Sequence, residues 1–481
     1  MNYSDKYEAV IGLEVHAQLL TKSKLFTADA AGYGGAPNTH ISPITLAHPG
    51  TLPKLNKEAI ELAVRMGLAC NCEIETTNYF ARKHYFYPDL PKGYQLSQHT
   101  TPVCKGGFVK IKTATGERNV QLNRIHMEED AGKSMHDQYE DYSVVDCNRA
   151  GVPLIEIVTE PDLHNGDEAA AYLTELRKMV RTLGVCDGNM EEGSMRCDAN
   201  ISVRLKGETK LGTKVEVKNL NSIRFLKKAI DFEVMRLIDL HEKGEPIIQQ
   251  TRSFNSDDET TFAIRTKEDA NDYRYLTDPD LPPFIITDKF VSNVRASLPE
   301  LPEQRKQRLM EQYSLPEYDA AQLCDDKDWS DYFEATAHHT SSFKQIANWL
   351  LGPVKSFLNE QEKEMEQFAF QPKQLAELIV LVEDGNVSHT IAAQKLFPAM
   401  LQQHKPALQL AQELNLIQER NADALSLLVD EVLDAMPEKV SEYKKGKKGL
   451  LALFVGEVMK KSKGKADPKL LNQLVTEKLA K

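Results

Sequence analysis

No uninterrupted apolar run in this chain reaches the ~18 residues that a membrane span requires. The first residues, Met1-Asn2-Tyr3-Ser4-Asp5-Lys6-Tyr7, lack the basic stretch and apolar core of an export signal. Neither insertion nor export is expected. Cysteine is sparse: seven residues, an odd number, isolated from one another except for Cys70-Asn71-Cys72. That usage fits reduced, buried thiols in a cytoplasmic protein and gives no four-ligand zinc spacing. Several catalytic signatures are also missing. There is no His-Glu-x-x-His zinc helix, no Gly-x-Ser-x-Gly elbow, no kinase motif set and no glycine-serine-rich amidase run. The chain therefore offers no evident nucleophile for opening an amide. Ala131-Gly132-Lys133-Ser134 ends like a phosphate-binding loop, but the position five residues before Gly132 is Met127, where that loop needs glycine. Gly32-Tyr33-Gly34-Gly35 lacks the third glycine of a dinucleotide loop. A net charge of −12 argues against wholesale coating of nucleic acid while leaving room for a local basic patch.

What is present is an unusual set of strands. Val10-Ile11-Gly12-Leu13-Glu14-Val15-His16-Ala17-Gln18 alternates, so Glu14, His16 and Gln18 share one face and Leu13, Val15 and Ala17 the other. Arg124-Ile125-His126-Met127-Glu128-Glu129-Asp130 ends a strand-like run in acids. Glu156 sits inside the apolar run Pro153–Val158. Arg196-Cys197-Asp198-Ala199-Asn200-Ile201-Ser202-Val203-Arg204 and Lys214-Val215-Glu216-Val217-Lys218 alternate in the same way. A solvated outer face explains one such strand. It explains Glu156 poorly, since a carboxylate among Leu154, Ile155 and Ile157 is costly to leave unpaired. Several strands carrying inward acids read better as a floor for Mg²⁺ and phosphate, because hard cations take carboxylate oxygens.

Up to about residue 290 the pattern is strand-rich, interrupted by helical periodicity at Asn56–Leu68, Asp167–Leu183 and Ser222–Lys243. After Leu298-Pro299-Glu300-Leu301-Pro302 helical signals dominate. Pro372 suits the first turn of a helix over Lys373–Val382, and Ser388 suits the cap of a short helix that Pro398 should stop. The class is α+β: a sheet-containing domain over 1–294, then all-α regions over 295–405 and 406–481. From Ser441 to Lys481 eleven lysines face four acids. Lys444, Lys445, Lys447 and Lys448 flank Gly446, and Lys460, Lys461, Lys463 and Lys465 flank Gly464. Clustered lysines of this kind suffice for phosphate-backbone contact, although a solubilising tail would look the same. Arg82-Lys83-His84-Tyr85-Phe86-Tyr87-Pro88-Asp89 adds bases that can clamp phosphate and aromatics that can stack on a nucleobase.

Six motifs now stand in order: Gly12–His16, Arg82–Asp89, His126–Lys133, Asn148–Glu156, Met190–Asp198 and Lys218–Ser222. Together they resemble the motif series of the B-subunit family of bacterial aspartyl/glutamyl-tRNA amidotransferases, and the likeness runs through the helical region to the lysine-rich tail. The resemblance implies a cradle-shaped catalytic domain of antiparallel sheet plus helices, related to glutamine synthetase. It implies an ATP-dependent carbon–nitrogen ligase acting on Glu or Asp misacylated onto tRNA(Gln) or tRNA(Asn). ATP and Mg²⁺ would serve to phosphorylate the side-chain carboxylate. Ammonia from a partner amidase (glutaminase) chain would then displace phosphate. A small third chain would complete a heterotrimer. No DNA or membrane partner is implied.

The family's metal positions fall on Glu14, His16, Glu129, Glu156 and Asp198, with Glu129 preferred to Glu128 by the resemblance alone. Lys83 is the candidate for the transferred phosphoryl group, with Arg82 and Arg196 as further nucleotide contacts. His16 is an unusual ligand for so hard a cation, which suggests Mn²⁺ at one site or action through water. Lys444, Lys445, Lys447, Lys448, Lys460, Lys461 and Lys463 are the expected tRNA contacts. The chain departs from some relatives in reading Ser42-Pro43-Ile44-Thr45 where they carry Cys-x-x-Cys, so no zinc is expected. Leu276-Thr277-Asp278 replaces a common aromatic-proline-glutamate step. Two competing readings are a free-standing carboxylate-amine ligase and a non-catalytic tRNA-binding scaffold. The helical third and its lysines argue against the first, and the retained acids against the second.

Overall fold

The computed structural model describes residues 6–135, 141–266, 273–403, 405–418, 422–462, 466 and 468–480. The chain divides into two compact units, 1–302 and 303–481.

The first unit is built on a 13-stranded sheet. Its principal strands are β1 (Tyr7–Gln18), β2 (Ala81–His84), β3 (Tyr94–Ser97), β4 (Phe108–Thr113), β5 (Gly116–Glu129), β6 (Pro153–Thr159), β7 (Met195–Leu205), β8 (Val215–Leu220), β9 (Gln250–Asn255), β10 (Thr260–Thr266) and β11 (Leu276–Thr277). Their spatial order is β10-β9-β8-β7-β1-β6-β5-β3-β2-β11, with β4 paired to β5. The alternation read from the sequence sets β1 at the centre, between β6 and β7. Its apolar face, Ile11, Leu13, Val15 and Ala17, is fully buried, whereas Glu14, His16 and Gln18 are half-buried.

Three helices cover the apolar face: α1 (Lys57–Ala69), α2 (Gly166–Thr182) and α3 (Ile223–Lys243). Each starts where its sequence supplies a cap. Asn56 accepts from the Glu58 amide, Asn165 from the Glu168 amide and Ser222 from the Phe225 amide. Gly244 ends α3 in the left-handed region, at φ 68°. Leu173, Leu176, Leu226 and Ile230 from α2 and α3 join Ile11, Leu13 and Val15 in one core.

The sheet departs from the all-antiparallel expectation at one place. β8 and β9 run parallel, because α3 forms the crossover between them, and a helix returns the chain to the same end of the sheet. The β7–β8 pair also carries a bulge. Cys197 pairs with Leu220 and Ala199 with Val217, so Asp198 faces two residues, Lys218 and Asn219. Asn219 takes up the extra residue with φ 61°, a conformation its short polar side chain tolerates.

The second unit, from Glu303, carries helices and no strand among the described residues. It holds two hydrophobic clusters. One, within 309–417, centres on Phe333, Trp349, Phe370 and Phe397. The other, within 425–479, centres on Leu425, Phe454, Leu471 and Val475. Pro372 opens the helix Pro372–Glu383 as its position suggested. Pro398 does not stop its helix. A π-helical turn at Ala392–Leu396 runs straight into Phe397–Gln403. The wider turn relieves the proline of the carbonyl four residues back, and Pro398 falls in the first turn of the next α segment, where its missing N–H costs little. Among the described residues no helix is long and apolar enough to cross a membrane.

Candidate active site: two carboxylate clusters on one sheet face

The pairing of five strands decides which charged residues meet. Across β1 and β7, Glu14 lies opposite Asp198 and His16 opposite Arg196. Across β1 and β6, His16 lies opposite Glu156. Across β6 and β5, Glu156 lies opposite His126, and across β7 and β8, Asn200 lies opposite Glu216. Directly opposed residues share a face, so all of these project from the side that α1–α3 leave uncovered.

Two groups of ligand atoms result, each gathered within 4.8 Å: His16, Glu128 and Glu156 in one, Glu14, Asp198 and Glu216 in the other. Among the described residues no other group of three such side chains meets that distance. β1 contributes one member to each. In the first group His16 Nε2 lies 3.7 Å from Glu128 Oε1 and 3.6 Å from Glu156 Oε2. His126 Nε2 approaches the same acids at 3.7 and 3.2 Å. Burial disfavours the charged form of both imidazoles, but the carboxylates outweigh it: His16 is raised above the ordinary histidine value, and His126 reaches about 9. Reciprocally, burial opposes ionisation of Glu156 while His126 and His16 hold it well below the usual carboxylate range.

In the second group the acids are fastened by neutral donors. The Asn200 side chain donates to Glu14 Oε1 (2.9 Å), the Asn219 amide to Asp198 Oδ1 (3.2 Å) and Thr251 to Glu216 Oε2 (2.8 Å). Lys218 Nζ donates to Asp198 Oδ2 at 2.8 Å and lies 3.1 Å from Glu216 Oε1. Burial and the neighbouring Glu156 charge raise Glu14 above an ordinary carboxylate.

Lys83 and Arg196 flank these clusters. Lys83 Nζ lies 4.9 Å from the Tyr273 ring and 5.8 Å from Tyr85. Burial works against its charge, and Glu128 and Glu156 overcome that to raise it. Arg196 donates to both oxygens of Asp130 at 2.9 Å, and Gln18 donates to the same carboxylate at 2.7 Å.

Two expected residues lie elsewhere. Glu129 follows Glu128 on β5 and therefore points to the opposite face. There Lys92 Nζ sits 2.5 Å from both of its oxygens, and the Leu96 amide donates to it at 2.8 Å. It lines a cavity of about 120 Å³ together with Lys92, Leu90, Phe26 and Gly151. Arg82 alternates away from Lys83. It is held by Asp278 (2.6 Å) and Asp280 (2.7 Å), with its guanidinium 4.5 Å from the Tyr94 ring centre. The structure thus brings together Glu14, His16, Glu156, Asp198, Lys83 and Arg196, and adds Glu128, Glu216, His126 and Lys218. The signal for the additions was in the sequence. His126 and Glu128 repeat the two-residue spacing of Glu14 and His16, and Glu216 and Lys218 alternate.

Residues 9–292 match the model of the GatB/GatE catalytic domain, and residues 331–479 match that of the GatB domain. The chain belongs to the GatB family. Curated relatives named as the B subunit of aspartyl/glutamyl-tRNA(Asn/Gln) amidotransferase match from end to end. The one from Thermodesulfovibrio yellowstonii is 46% identical, covering 98% of each chain. That from Thermoanaerobacter pseudethanolicus is 46% identical over 99% of this chain and 100% of its own. That from Rickettsia bellii is 46% identical over 99% and 98%. The GatB/GatE catalytic domain model thus spans every residue of the two clusters, and the GatB domain model spans the lysine-rich end. There, Lys444, Lys445, Lys447, Lys448, Lys460 and Lys461 are exposed. Lys447 reaches Glu442 (3.2 Å), Lys461 reaches Glu431 (2.5 Å), and Lys448 lies 4.3 Å from the Tyr443 ring. Lys463 lies outside the described residues. All seven cysteines are buried free thiols.

Proposed function

We propose that this chain is the transamidating component of a tRNA-dependent amidotransferase. It activates the side-chain carboxylate of Glu-tRNA(Gln) or Asp-tRNA(Asn) with ATP and amidates it with ammonia. The ammonia comes from a partner amidase chain, and a small third chain completes the assembly. The setting is the cytoplasm, where aminoacyl-tRNA is made and used. The observation that carries this reading is the side-by-side placement of two three-ligand clusters on one sheet face of a chain matching GatB relatives over its whole length.

The donor set fits a hard divalent cation. Glu14, Asp198 and Glu216 offer three carboxylates already oriented by amide and hydroxyl donors, and such oxygen ligands suit Mg²⁺. His16, Glu128 and Glu156 form a mixed nitrogen and oxygen set, which suits Mn²⁺ or Mg²⁺ held through water. From β5 it is Glu128 that shares a cluster with His16 and Glu156, so Glu128 is the ligand proposed there. When bound, the cation neutralises charge on the phosphate oxygens as transfer proceeds.

The protein's own residues supply the rest. Lys83, cationic and backed by Glu128 and Glu156, is placed to attract the transferred phosphoryl group. A substrate carboxylate oxygen attacks the γ-phosphorus, and the bond to ADP breaks. The nitrogen of ammonia then attacks the acyl carbon, and phosphate leaves. Asp130 fixes Arg196 rigidly along the edge of this face, a setting for orienting an anion rather than moving a proton. Residues 1–294 would form the catalytic cradle, 295–405 a helical spacer, and 406–481 the surface that meets the tRNA body.

The test is ATP turnover and amide formation by the purified chain with Mg²⁺, free ammonia and Glu-tRNA(Gln), with and without the amidase partner. Amide from ammonia, with glutamine used only in the partner's presence, is the expected result. No amide from ammonia in the complete assembly would reduce the acid face to a structural feature.

A further inference from the structure

The acid triad already holds a cation of its own. Lys218 Nζ bridges Asp198 Oδ2 and Glu216 Oε1. The other oxygens of these two acids, and one of Glu14, accept from Asn219, Thr251 and Asn200. The ammonium thus contacts two of the three acids that a divalent cation at this triad would draw on. Across β7 and β8 Asn200 pairs with Glu216 and Ala199 with Val217, so the register itself brings Lys218 beside Asp198, and the bulge adds the Asn219 amide to the same carboxylate.

The two clusters also differ in how their acids are balanced. His16, Glu128 and Glu156 are balanced by imidazoles on short stems, which can lose a proton but cannot leave. Glu14, Asp198 and Glu216 are balanced by an ammonium on a four-carbon stem whose side chain is still 34% exposed. It has room to move out. Three carboxylates without any counter-ion would repel one another strongly in a half-buried site, so a triad that gives up its divalent cation gains from an ammonium taking its place.

We infer that Lys218 is an exchangeable counter-cation, which fills the Glu14–Asp198–Glu216 triad until a divalent cation is held there and is then released to bind nucleotide phosphate. This rests on the reading of the triad as a cation site. It gives the site an order of events: the lysine is withheld from anions until the cation is in place. It also names Lys218 as a phosphate-binding residue that its ion pairs conceal.

The experiment measures two things on the full chain in its assembly. Mn²⁺ binding is followed by electron paramagnetic resonance for wild type, Glu14→Gln and Lys218→Met. Amine reactivity of Lys218 is followed by reductive methylation and mass spectrometry of its peptide, with no nucleotide present. Saturating Mg²⁺ is expected to speed modification of Lys218 several-fold, and ADP added afterwards to slow it again. Lys218→Met is expected to bind Mn²⁺ several-fold more tightly, having lost the competitor. A Mn²⁺ site lost in Glu14→Gln, with Lys218 reactivity unchanged by Mg²⁺, would overturn the exchange while leaving the cation site intact. Unchanged Mn²⁺ affinity in Lys218→Met would do the same. Absence of any site sensitive to Glu14→Gln would overturn the cation reading and the exchange with it.

Discussion

Glu128 and Glu129 are consecutive carboxylates that look in opposite directions. The first stands 3.7 Å from His16 Nε2 on the open face, and the second is clasped by Lys92 on the other. Exchanging each for its amide should therefore have different effects. Glu128→Gln is expected to lower Mg²⁺-dependent ATP turnover at least 10-fold, in line with the usual cost of disturbing a metal's surroundings, with tRNA affinity unchanged. Glu129→Gln is expected to leave Mn²⁺ stoichiometry intact. Spin-counting of bound Mn²⁺ checks both, and loss of a bound ion in Glu129→Gln would reverse the assignment.

Asp198→Asn should abolish amide formation from free ammonia while tRNA binding stays within about twofold, since the acid lies in the floor and the lysine-rich surface belongs to the other unit. Filter binding alongside the amidation assay separates the two. A parallel loss of tRNA affinity would assign Asp198 to structure.

Asp130 is buried, and burial alone would raise it. The Arg196 and Arg149 charges outweigh that and hold it below the usual carboxylate range. A carboxylate with a depressed native pKa stabilises the fold at neutral pH, and that stability is lost as pH falls through the native value. Arg196→Met removes the main partner. It should destabilise the first unit by roughly 3 kcal/mol and move the acid unfolding transition to higher pH. Urea titrations at a series of pH values provide the measurement.

Lys24 is fully buried and donates to the His40 and Cys147 carbonyls at 2.7 and 3.2 Å. Burial pulls it down to about 8, against the opposing pull of Asp29. An unfolded lysine titrates at about 10.4, so the unfolded state holds more protons between these values, and stability rises with pH across that window. The stability of wild type relative to Lys24→Met should improve by on the order of 3 kcal/mol from pH 8 to 10.4. A difference independent of pH would mean that Lys24 keeps its ordinary affinity for protons.

Replacing Lys444, Lys445, Lys447 and Lys448 with glutamine should weaken tRNA binding and reduce the slope of log affinity against log salt by about 2–3, as expected for lost phosphate contacts. ATP binding should not change. An unaltered slope would leave these lysines a solubilising role.

Much of this site could be read from alternation. A strand that places Glu14 and His16 against Leu13 and Val15 declares both its faces, and the caps at Asn56, Asn165 and Ser222 declare where the covering helices begin. The sequence offered Glu128 by its alternation with His126 and Glu129 by resemblance, and the pairing of β5 with β6 decides that Glu128 looks at His16. The sequence could not show the β7–β8 bulge, which depends on a register set between strands, nor the parallel pair that α3 creates. Arg82 looked like a phosphate clamp because its partners, Asp278 and Asp280, lie almost two hundred residues away in sequence. Pro398 misled for a local reason: a π turn has room for a proline that an α turn lacks.

One further consequence follows from β1 serving both clusters. Glu14 and His16 are two residues apart on an extended backbone, a span of about 7 Å, and no loop lies between them to absorb a change of length. Losing or gaining a single residue before Glu14 turns the residues on one side of the change to the opposite face but leaves the Glu14–His16 spacing as it is. Between Glu14 and His16, the same change would turn one of the two toward the helices and empty its cluster. The five-letter stretch Gly12-Leu13-Glu14-Val15-His16 behaves as a reading frame: it admits no insertion or deletion between its two polar letters.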